Sequence, residues 1–150
     1  MIVENNWNIR KATLDDSVNL QNCMESAYSS YQDRLNGIVL PPMVTDYSNE
    51  IAGYPTWVAE IKEDVVGGLI MTFGKDYAAI SNVAVHPQSQ GLGLGRGLLD
   101  FAQNEAKTRG YSQLRLATHV LLTENISLYE HLGWRVTGKD DVRVYMEKEI

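Results

Sequence analysis

The stretch from Val83 to Leu99 constrains the fold more than any other part of the chain. An apolar run, Ile80–Val85, stops at His86-Pro87, and glycine then stands at positions 91, 93, 95 and 97. Apolar residues recur at helical spacing after the turn, on one side of a predicted amphipathic helix: Leu94, Leu98, Leu99 and Ala102. The sequence therefore predicts a strand, a glycine-rich turn and the start of a helix in direct succession.

Together, the strand, the turn and the helix start form a cradle for an anion. Glycine lets the backbone adopt conformations that are closed to other residues, and it lets a ligand come close to the main chain. The N–H groups of the first helical turn have no intrahelical acceptor, so they point at whatever occupies the cradle, and phosphate is the natural guest. The alternative is a loop whose glycines serve only to reverse the chain.

Two common nucleotide-binding patterns do not fit this turn. The Rossmann fingerprint needs glycine at its sixth position, where Arg96 stands if the count starts at Gly91 and Leu98 stands if it starts at Gly93. The P-loop needs a Gly-Lys-Ser/Thr ending, which the chain lacks. A third pattern, Gln/Arg-x-x-Gly-x-Gly/Ala after a strand that ends in Val-x-Pro, fits Gln90 to Gly95 at every fixed position.

This third pattern resembles the coenzyme A pyrophosphate loop of the GNAT superfamily of acyl-CoA-dependent N-acyltransferases. A second stretch supports the resemblance, because Asn125 and Tyr129 precede Leu132-Gly133-Trp134. In the second GNAT signature an Asn and a Tyr likewise precede a helix end of the Leu-Gly-aromatic type. Asn125 and Tyr129 are four residues apart, so they share one face of a helix.

The resemblance implies a single N-acetyltransferase domain over residues 1–150, of the α/β class and α+β type. Its central sheet is expected to be mixed, mostly antiparallel and splayed like a V, with about seven strands flanked by four helices. The predicted elements occur in a matching order. Strands are predicted at 7–12, 56–61, 65–73, 77–85, 113–119, 134–138 and 142–147, and helices at 13–31, 46–52, 93–108 and 123–132.

The resemblance also implies acetyl-CoA as the cosubstrate and coenzyme A as the product. Main-chain groups of the cradle strand would pair with the pantetheine amides, and N–H groups of the turn would hold the pyrophosphate. Arg96 could add a charge-assisted contact to a phosphate, although a solvated helix arginine is the alternative. For Asn125 the alternative is a cap at the helix start. The expected cofactor-binding residues are Val83, Ala84, Val85, Gln90, Gly91, Leu92, Gly93, Leu94, Gly95, Arg96 and Asn125.

The implied reaction transfers an acetyl group to a primary amine of a small molecule or peptide, by direct attack through a tetrahedral intermediate. A phenol with a pKa of ~10 is protonated at neutral pH, so Tyr129 can protonate the departing thiolate; packing in the core is its alternative role. Many family members carry a glutamate on the cradle strand where Ala79 stands here. The base is therefore open between His119, whose ordinary pKa is ~6.5, and Glu50, Asp46 or an ordered water.

The distribution of charge favours a cationic acceptor. The net charge of −6 lies entirely in residues 1–64, with ten acids and four bases, whereas residues 65–150 hold nine of each. The alternative is that these acids only keep the surface soluble. We expect the stretch 28–54 to shape the acceptor pocket, with contacts from Tyr28, Tyr31, Asp46, Tyr47 and Glu50. The sequence has no stripe of basic residues that would indicate nucleic-acid binding. A homodimer is compatible with the family that the chain resembles.

Composition sets the remaining limits. No apolar run approaches the ~20 residues that span a bilayer, and the N-terminus lacks the pattern of a signal peptide, so we expect a cytoplasmic protein. The single cysteine, Cys23, lies in an apolar helical stripe and is expected in the core, and no cluster of His, Cys, Asp or Glu has metal-ligand spacing.

Two other functions stay open: a non-catalytic acyl-CoA-binding or sensory module, motivated by Ala79, and an interaction protein that uses the acidic loops at 28–54.

Overall fold

The computed structural model describes residues 6–150. Seven strands run through this part of the chain: β1 (Trp7–Lys11), β2 (Thr56–Ile61), β3 (Asp64–Phe73), β4 (Ala78–Val85), β5 (Gln113–His119), β6 (Arg135–Lys139) and β7 (Arg143–Glu149). The same residues form five α-helices: α1 (Ser17–Ser29), α2 (Gln32–Leu35), α3 (Tyr47–Gly53), α4 (Leu94–Thr108) and α5 (Thr123–His131).

The strands form one mixed sheet in the order β1-β2-β3-β4-β5-β7-β6. The pairs β1–β2, β2–β3, β5–β7 and β6–β7 are antiparallel. Strands β4 and β5 are parallel, with Ala78–Ile80 paired to Leu114–Leu116. The predicted α/β class and the predicted mixed, mostly antiparallel sheet of about seven strands are therefore confirmed.

The chain forms two compact units, and β3, β4 and α4 contribute residues to both. The first unit consists of the described residues up to Ile70 together with Asn82–Phe101. The second unit consists of Met71–Ser81 and Ala102–Ile150. The predicted cofactor strand and glycine turn lie entirely in the first unit, whereas His119, Asn125 and Tyr129 lie in the second.

In the first unit, α1 packs directly onto β3 through a glycine. A Cβ at Gly68 would lie 2.5 Å from Cδ1 of Leu20 and 2.7 Å from Cε of Met24. The bare backbone of Gly68 thus lets the apolar face of the helix approach the sheet. A β-bulge lies beside it, because Ala59 pairs with Gly67 while Glu60 pairs with Val65. The buried core of this unit contains Ala12, Leu20, Met24, Tyr47, Val58 and Ile70.

In the second unit, the longest strand pairing joins β5 to β7 over seven residue pairs, from Gln113 with Glu149 to His119 with Arg143. Alternate side chains of β5 and β7 are buried, namely Leu114, Leu116, Val144 and Met146. Ala102, Ala106 and Trp134 are also buried.

The structure has one more helix than the sequence predicted. The extra helix, α2, is a single turn that buries Leu35 completely, and its C-cap is Asn36, whose φ of 49° is left-handed. The first helix also begins later than predicted, because a 3-10 turn at Leu14–Asp16 precedes α1. Within this turn the Asp16 carboxylate accepts the Thr13 N–H at 2.8 Å.

The tight turn between β2 and β3 lies one residue earlier than predicted. Ile61 pairs with Asp64, so the turn residues are Lys62 and Glu63 rather than Glu63 and Asp64. Both turn residues have positive φ, 49° and 75°, as a two-residue type I′ hairpin requires. Along residues 6–150, no helix has both the length and the apolar character needed to cross a bilayer.

Candidate active site

The predicted cofactor strand is the C-terminal part of β4. Val83, Ala84 and Val85 are all half-buried. A Cβ at Gly67 would lie 3.1 Å from the Ala84 carbonyl oxygen and 3.2 Å from Cδ1 of Leu98. Gly67 therefore allows β3, β4 and α4 to pack closely at this point, which holds the strand against the helix that follows the turn.

A short 3-10 turn, Pro87–Ser89, connects β4 to the glycines. Nδ1 of His86 accepts the Gln88 N–H at 3.1 Å, and the His86 carbonyl accepts the Ser89 N–H at 2.9 Å. Nε2 of Gln90 donates to the Val85 carbonyl at 3.4 Å. The His86 side chain thus stabilises the turn after β4, and Gln90 ties the start of the glycine turn back to the strand.

The glycines of the turn have the conformation that an anion cradle needs. Gly91 and Gly93 have φ of +85° and +79°, and nothing lies within 4 Å of a Cβ built on either residue. Helix α4 begins at Leu94, and its first hydrogen bond runs from Gly97 N–H to the Gly93 carbonyl at 2.9 Å. The N–H groups before Gly97 precede this ladder, so they are available to a ligand.

This open backbone fits a pyrophosphate. A phosphate needs N–H donors at a helix N-terminus and room for close approach, and the positions of Gly91, Gly93 and Gly95 offer both. At Gly95 a Cβ would meet only Cγ2 of Val85, at 3.9 Å. Arg96 and Leu92 are exposed on the same segment, and Leu94 is buried beneath it.

The start of α4 is fixed from below by β1. A Cβ at Gly97 would lie 2.4 Å from Cη2 of Trp7, so the indole ring occupies the space that any larger side chain would need. Leu94 and Leu98 are 1% and 0% exposed. The cradle is therefore built on a rigidly packed helix end.

The predicted acid, Tyr129, is located near the end of α5. It is 8% exposed, and its ring centroid lies 6.1 Å from that of Trp134. Its carbonyl accepts the Trp134 N–H at 2.9 Å, which closes the helix end at Gly133, whose φ is +97°. The Leu-Gly-aromatic signature thus forms a tight helix end that holds the tyrosine ring.

The alternative interpretation of Asn125, a cap at the helix start, does not match the structure. Helix α5 begins at Thr123, and its N-cap is Leu122, whose carbonyl accepts the Asn125 N–H at 3.1 Å. Asn125 is therefore the third helical residue and half-buried, which contradicts the interpretation of Asn125 as a cap. Its role at the cofactor stays a prediction.

His119 ends β5 and is half-buried. Its Nδ1 accepts the Leu121 N–H at 3.1 Å. Because this bond uses the Nδ1 lone pair, the neutral ring carries its proton on Nε2. In this arrangement His119 presents a proton donor at Nε2, which is the opposite of what a general base requires.

The five predicted acceptor residues fall into two environments. Tyr28 in the last turn of α1 and Tyr31, the N-cap of α2, are half-buried, with ring centroids 6.2 Å apart in an edge-to-face arrangement. Tyr47 begins α3 and is only 1% exposed. Asp46 caps α3, and hydrogen bonds from the Ser48 hydroxyl and the Asn49 backbone lower the pKa of its carboxyl. Glu50 is half-buried on α3.

One buried polar residue of this region escaped prediction as a binding or positioning residue. Asn82, 9% exposed, immediately precedes the cofactor strand. Its Oδ1 accepts the Tyr28 hydroxyl at 3.0 Å, and its Nδ2 donates to the Tyr47 hydroxyl oxygen at 3.3 Å. The only signal in the sequence is an asparagine at a core position of an apolar strand, and its partners are 54 and 35 residues away.

Cys23 lies in the core as predicted, 2% exposed, and burial raises the pKa of its thiol to about 11. Such a thiol is almost entirely protonated at neutral pH, so it is a poor nucleophile. Among residues 6–150, no three His, Cys, Asp or Glu side chains are grouped so as to hold a metal ion.

Comparisons with known proteins agree with this geometry. The family model described as an acetyltransferase (GNAT) domain matches residues 52–136, which is more than half of the chain. The chain therefore belongs to the GNAT acetyltransferase family. The match contains both the glycine turn and the Tyr129 helix.

Three relatives illustrate the similarity. The uncharacterized N-acetyltransferase YjgM of Escherichia coli is 31% identical over 109 residues, 65% of this chain and 65% of that protein. The [ribosomal protein bS18]-alanine N-acetyltransferase of Escherichia coli is 41% identical over 59 residues, 39% of this chain and 40% of that protein. The chain thus spans 40–65% of the length of these curated relatives. The PaiA N-acetyltransferase of Thermoplasma acidophilum, solved in complex with coenzyme A, has the same fold, with a TM-score of 0.83 at 20% identity over 96% of this chain and 99% of that one.

Proposed function

We propose that the protein transfers an acetyl group from acetyl-CoA to a primary amine of a small molecule or peptide. The observation that carries the proposal is the open cradle at Gly91 and Gly93, where two left-handed glycines and the N-terminus of α4 leave room and donors for a pyrophosphate. Family membership and the relatives named as N-acetyltransferases support it. In this proposal the main chain of Val83–Val85 holds the pantetheine arm.

Acetyl-CoA supplies an activated acyl group as a thioester. The amine nitrogen forms a bond to the acyl carbon, the carbon–sulfur bond breaks, and Tyr129 donates its phenolic proton to the departing thiolate. A phenol with an ordinary pKa of ~10 holds its proton at neutral pH, which suits this role. Packing against Trp134 fixes the ring of Tyr129, so its hydroxyl is held in one place.

The amine must lose a proton before it attacks. An alkylamine with a pKa near ~10.4 is neutral in only about one molecule in 10³ at pH 7, so a base accelerates the reaction. Nδ1 of His119 is engaged with Leu121 N–H, and the Asp46 carboxylate is engaged as the cap of α3. We therefore propose that Glu50, or water that Glu50 orders, takes this proton. Glu50 lies in residues 1–64, which hold the whole net charge of −6, and this charge favours a cationic acceptor.

The experiment measures thiol release from acetyl-CoA across a panel of amines that includes polyamines, amino acids and a peptide with an N-terminal alanine. The alanine peptide is included because the relative of 41% identity acts on a protein alanine. Replacement of Tyr129 by Phe should lower kcat by about 10²–10⁴, the usual contribution of an acid or base. Tyr111→Phe is the matched control, since it removes a tyrosine hydroxyl that donates to a backbone carbonyl, that of Gly74.

Acetyl-CoA binding without transfer to any amine would refute the enzyme and favour a non-catalytic acyl-CoA-binding module. That alternative has one observation in its favour, which is that Ala79 offers no carboxylate on β4. Equal kcat values for Tyr129→Phe and the wild type would remove Tyr129 from the mechanism and leave the transferase assignment intact.

A further inference from the structure

A directional chain of hydrogen bonds runs through the first unit at Asn82. The Tyr28 hydroxyl donates to Oδ1 of Asn82 at 3.0 Å, and Nδ2 of Asn82 donates to the Tyr47 oxygen at 3.3 Å. The Tyr47 hydroxyl in turn donates to the Pro42 carbonyl at 2.6 Å. Because the Tyr47 hydroxyl donates its proton to Pro42, it can only accept from Asn82, and this fixes the orientation of the Asn82 amide.

The polar character of this position is unusual for its strand face. Alternate residues of a strand share a face, and Ala78 and Ile80 on the face of Asn82 are apolar, with 0% and 5% exposure. An aliphatic side chain would fill the same place without needing partners. The polar residue is found only at the last buried position of that face, directly before Val83–Val85.

The bonds of Asn82 join three elements. Tyr28 belongs to the end of α1, Tyr47 to the start of α3, and Asn82 to β4. Tyr47 is 1% exposed, and burial raises the pKa of its phenol, so its hydroxyl stays protonated and keeps its bond to Pro42. The network therefore clamps the strand to both helices just before the segment that holds the pantetheine in the proposed function.

We propose that Asn82 is a positioning residue for acetyl-CoA, because its side-chain amide fixes the main chain of Val83–Val85 by tying β4 to α1 and α3. This inference rests on the proposed function, in which that main chain binds the cofactor. Asn82 itself touches no cofactor, and it acts through the backbone that it holds.

The test compares the Asn82→Leu variant with the wild type and with Tyr111→Phe. Leucine has nearly the same size as asparagine but forms no hydrogen bonds. Calorimetry measures the Kd for acetyl-CoA, and hydrogen exchange measures the protection of the Val83–Val85 amides in the free protein. Asn82→Leu should raise the Kd at least about tenfold and speed exchange at these amides, because the hydrogen bonds that tie β4 to Tyr28 and Tyr47 are lost. Tyr111→Phe should leave both quantities unchanged, although its melting temperature also falls.

A Kd within about twofold of the wild type, together with unchanged exchange at Val83–Val85, would overturn the inference. If Asn82→Leu does not fold, Tyr47→Phe serves instead, because it keeps the ring and removes the hydroxyl that accepts from Asn82 and donates to Pro42. Tyr47→Phe should raise the Kd and the exchange rate, and the absence of both effects would overturn the inference. If the wild type itself does not bind acetyl-CoA, the proposed function fails, and the exchange result alone decides whether Asn82 fixes the strand.

Discussion

Replacement of Gly93 by Ala isolates the conformational requirement of the cofactor loop. Gly93 has a φ of +79°, and nothing lies within 4 Å of a Cβ at that position, so the new methyl group meets no protein atom. The whole effect is then backbone strain, about 1–2 kcal/mol for an L-residue in the left-handed region. Gly93 is exposed, so we expect the empty loop to relax and to take up this strain on binding, which raises the Kd for acetyl-CoA about 5–30-fold.

Gly110→Ala is the matched control. Gly110 has a φ of +90° and also has nothing within 4 Å of its Cβ position, but it lies after the end of α4 and far along the chain from the loop. Gly110→Ala should lose about 1–2 kcal/mol of stability, or about 2–8 °C in melting temperature, whereas Gly93→Ala should lose less because its loop relaxes when empty. Only Gly93→Ala should weaken acetyl-CoA binding in calorimetry. Wild-type affinity in Gly93→Ala, or an equal loss of affinity in Gly110→Ala, would refute the cradle geometry.

Two further predictions concern stability in the first unit. Gly97→Ala should cost about 1–3 kcal/mol in urea unfolding, because its Cβ would lie 2.4 Å from Cη2 of Trp7, and a variant as stable as the wild type would show that the indole moves freely. Hydrogen bonds from the Arg10 guanidinium lower the pKa of Asp16 from 3.8 to about 2. Because the folded pKa is the lower one, the Asp16 carboxylate contributes about 2 kcal/mol above about pH 4, and this contribution disappears as the pH falls towards about 2. The stability difference between the wild type and Asp16→Asn should shrink over that range, and a constant difference would contradict the linkage.

The positions of the strands along the chain and the glycine turn could be predicted from the sequence because their signals are local. β-Branched and aromatic residues mark β2 and β3, an apolar run marks β4, and the glycines at 91 and 93 stand where the chain needs positive φ. The turn between β2 and β3 was placed one residue late because its left-handed residues, Lys62 and Glu63, are neither glycine nor asparagine. The sequence does not indicate helix α2, because a single helical turn is too short to show a hydrophobic period of about 3.6 residues.

Long-range polar contacts could not be predicted. Asn82 finds Tyr28 and Tyr47 only after α1, α3 and β4 have come together, and no spacing in the chain encodes that meeting. The same holds for His119, since its bond to Leu121 N–H decides which ring nitrogen carries the proton. The residue type alone tells which side chains can donate or accept a proton or a hydrogen bond. Their hydrogen-bond partners in the fold define which of these roles each side chain has.

The packing of Trp7 against Gly97 makes the cofactor loop a poor candidate for transplantation. The loop and its helix look like a portable segment from Val83 to Leu99, yet the floor beneath that helix is supplied by a strand some ninety residues earlier in the chain. A graft of the segment into another sheet would need a flat aromatic ring at the position of Trp7 as well. Natural variation at the two positions should be linked in the same way, because a larger residue at 97 requires a smaller one at 7.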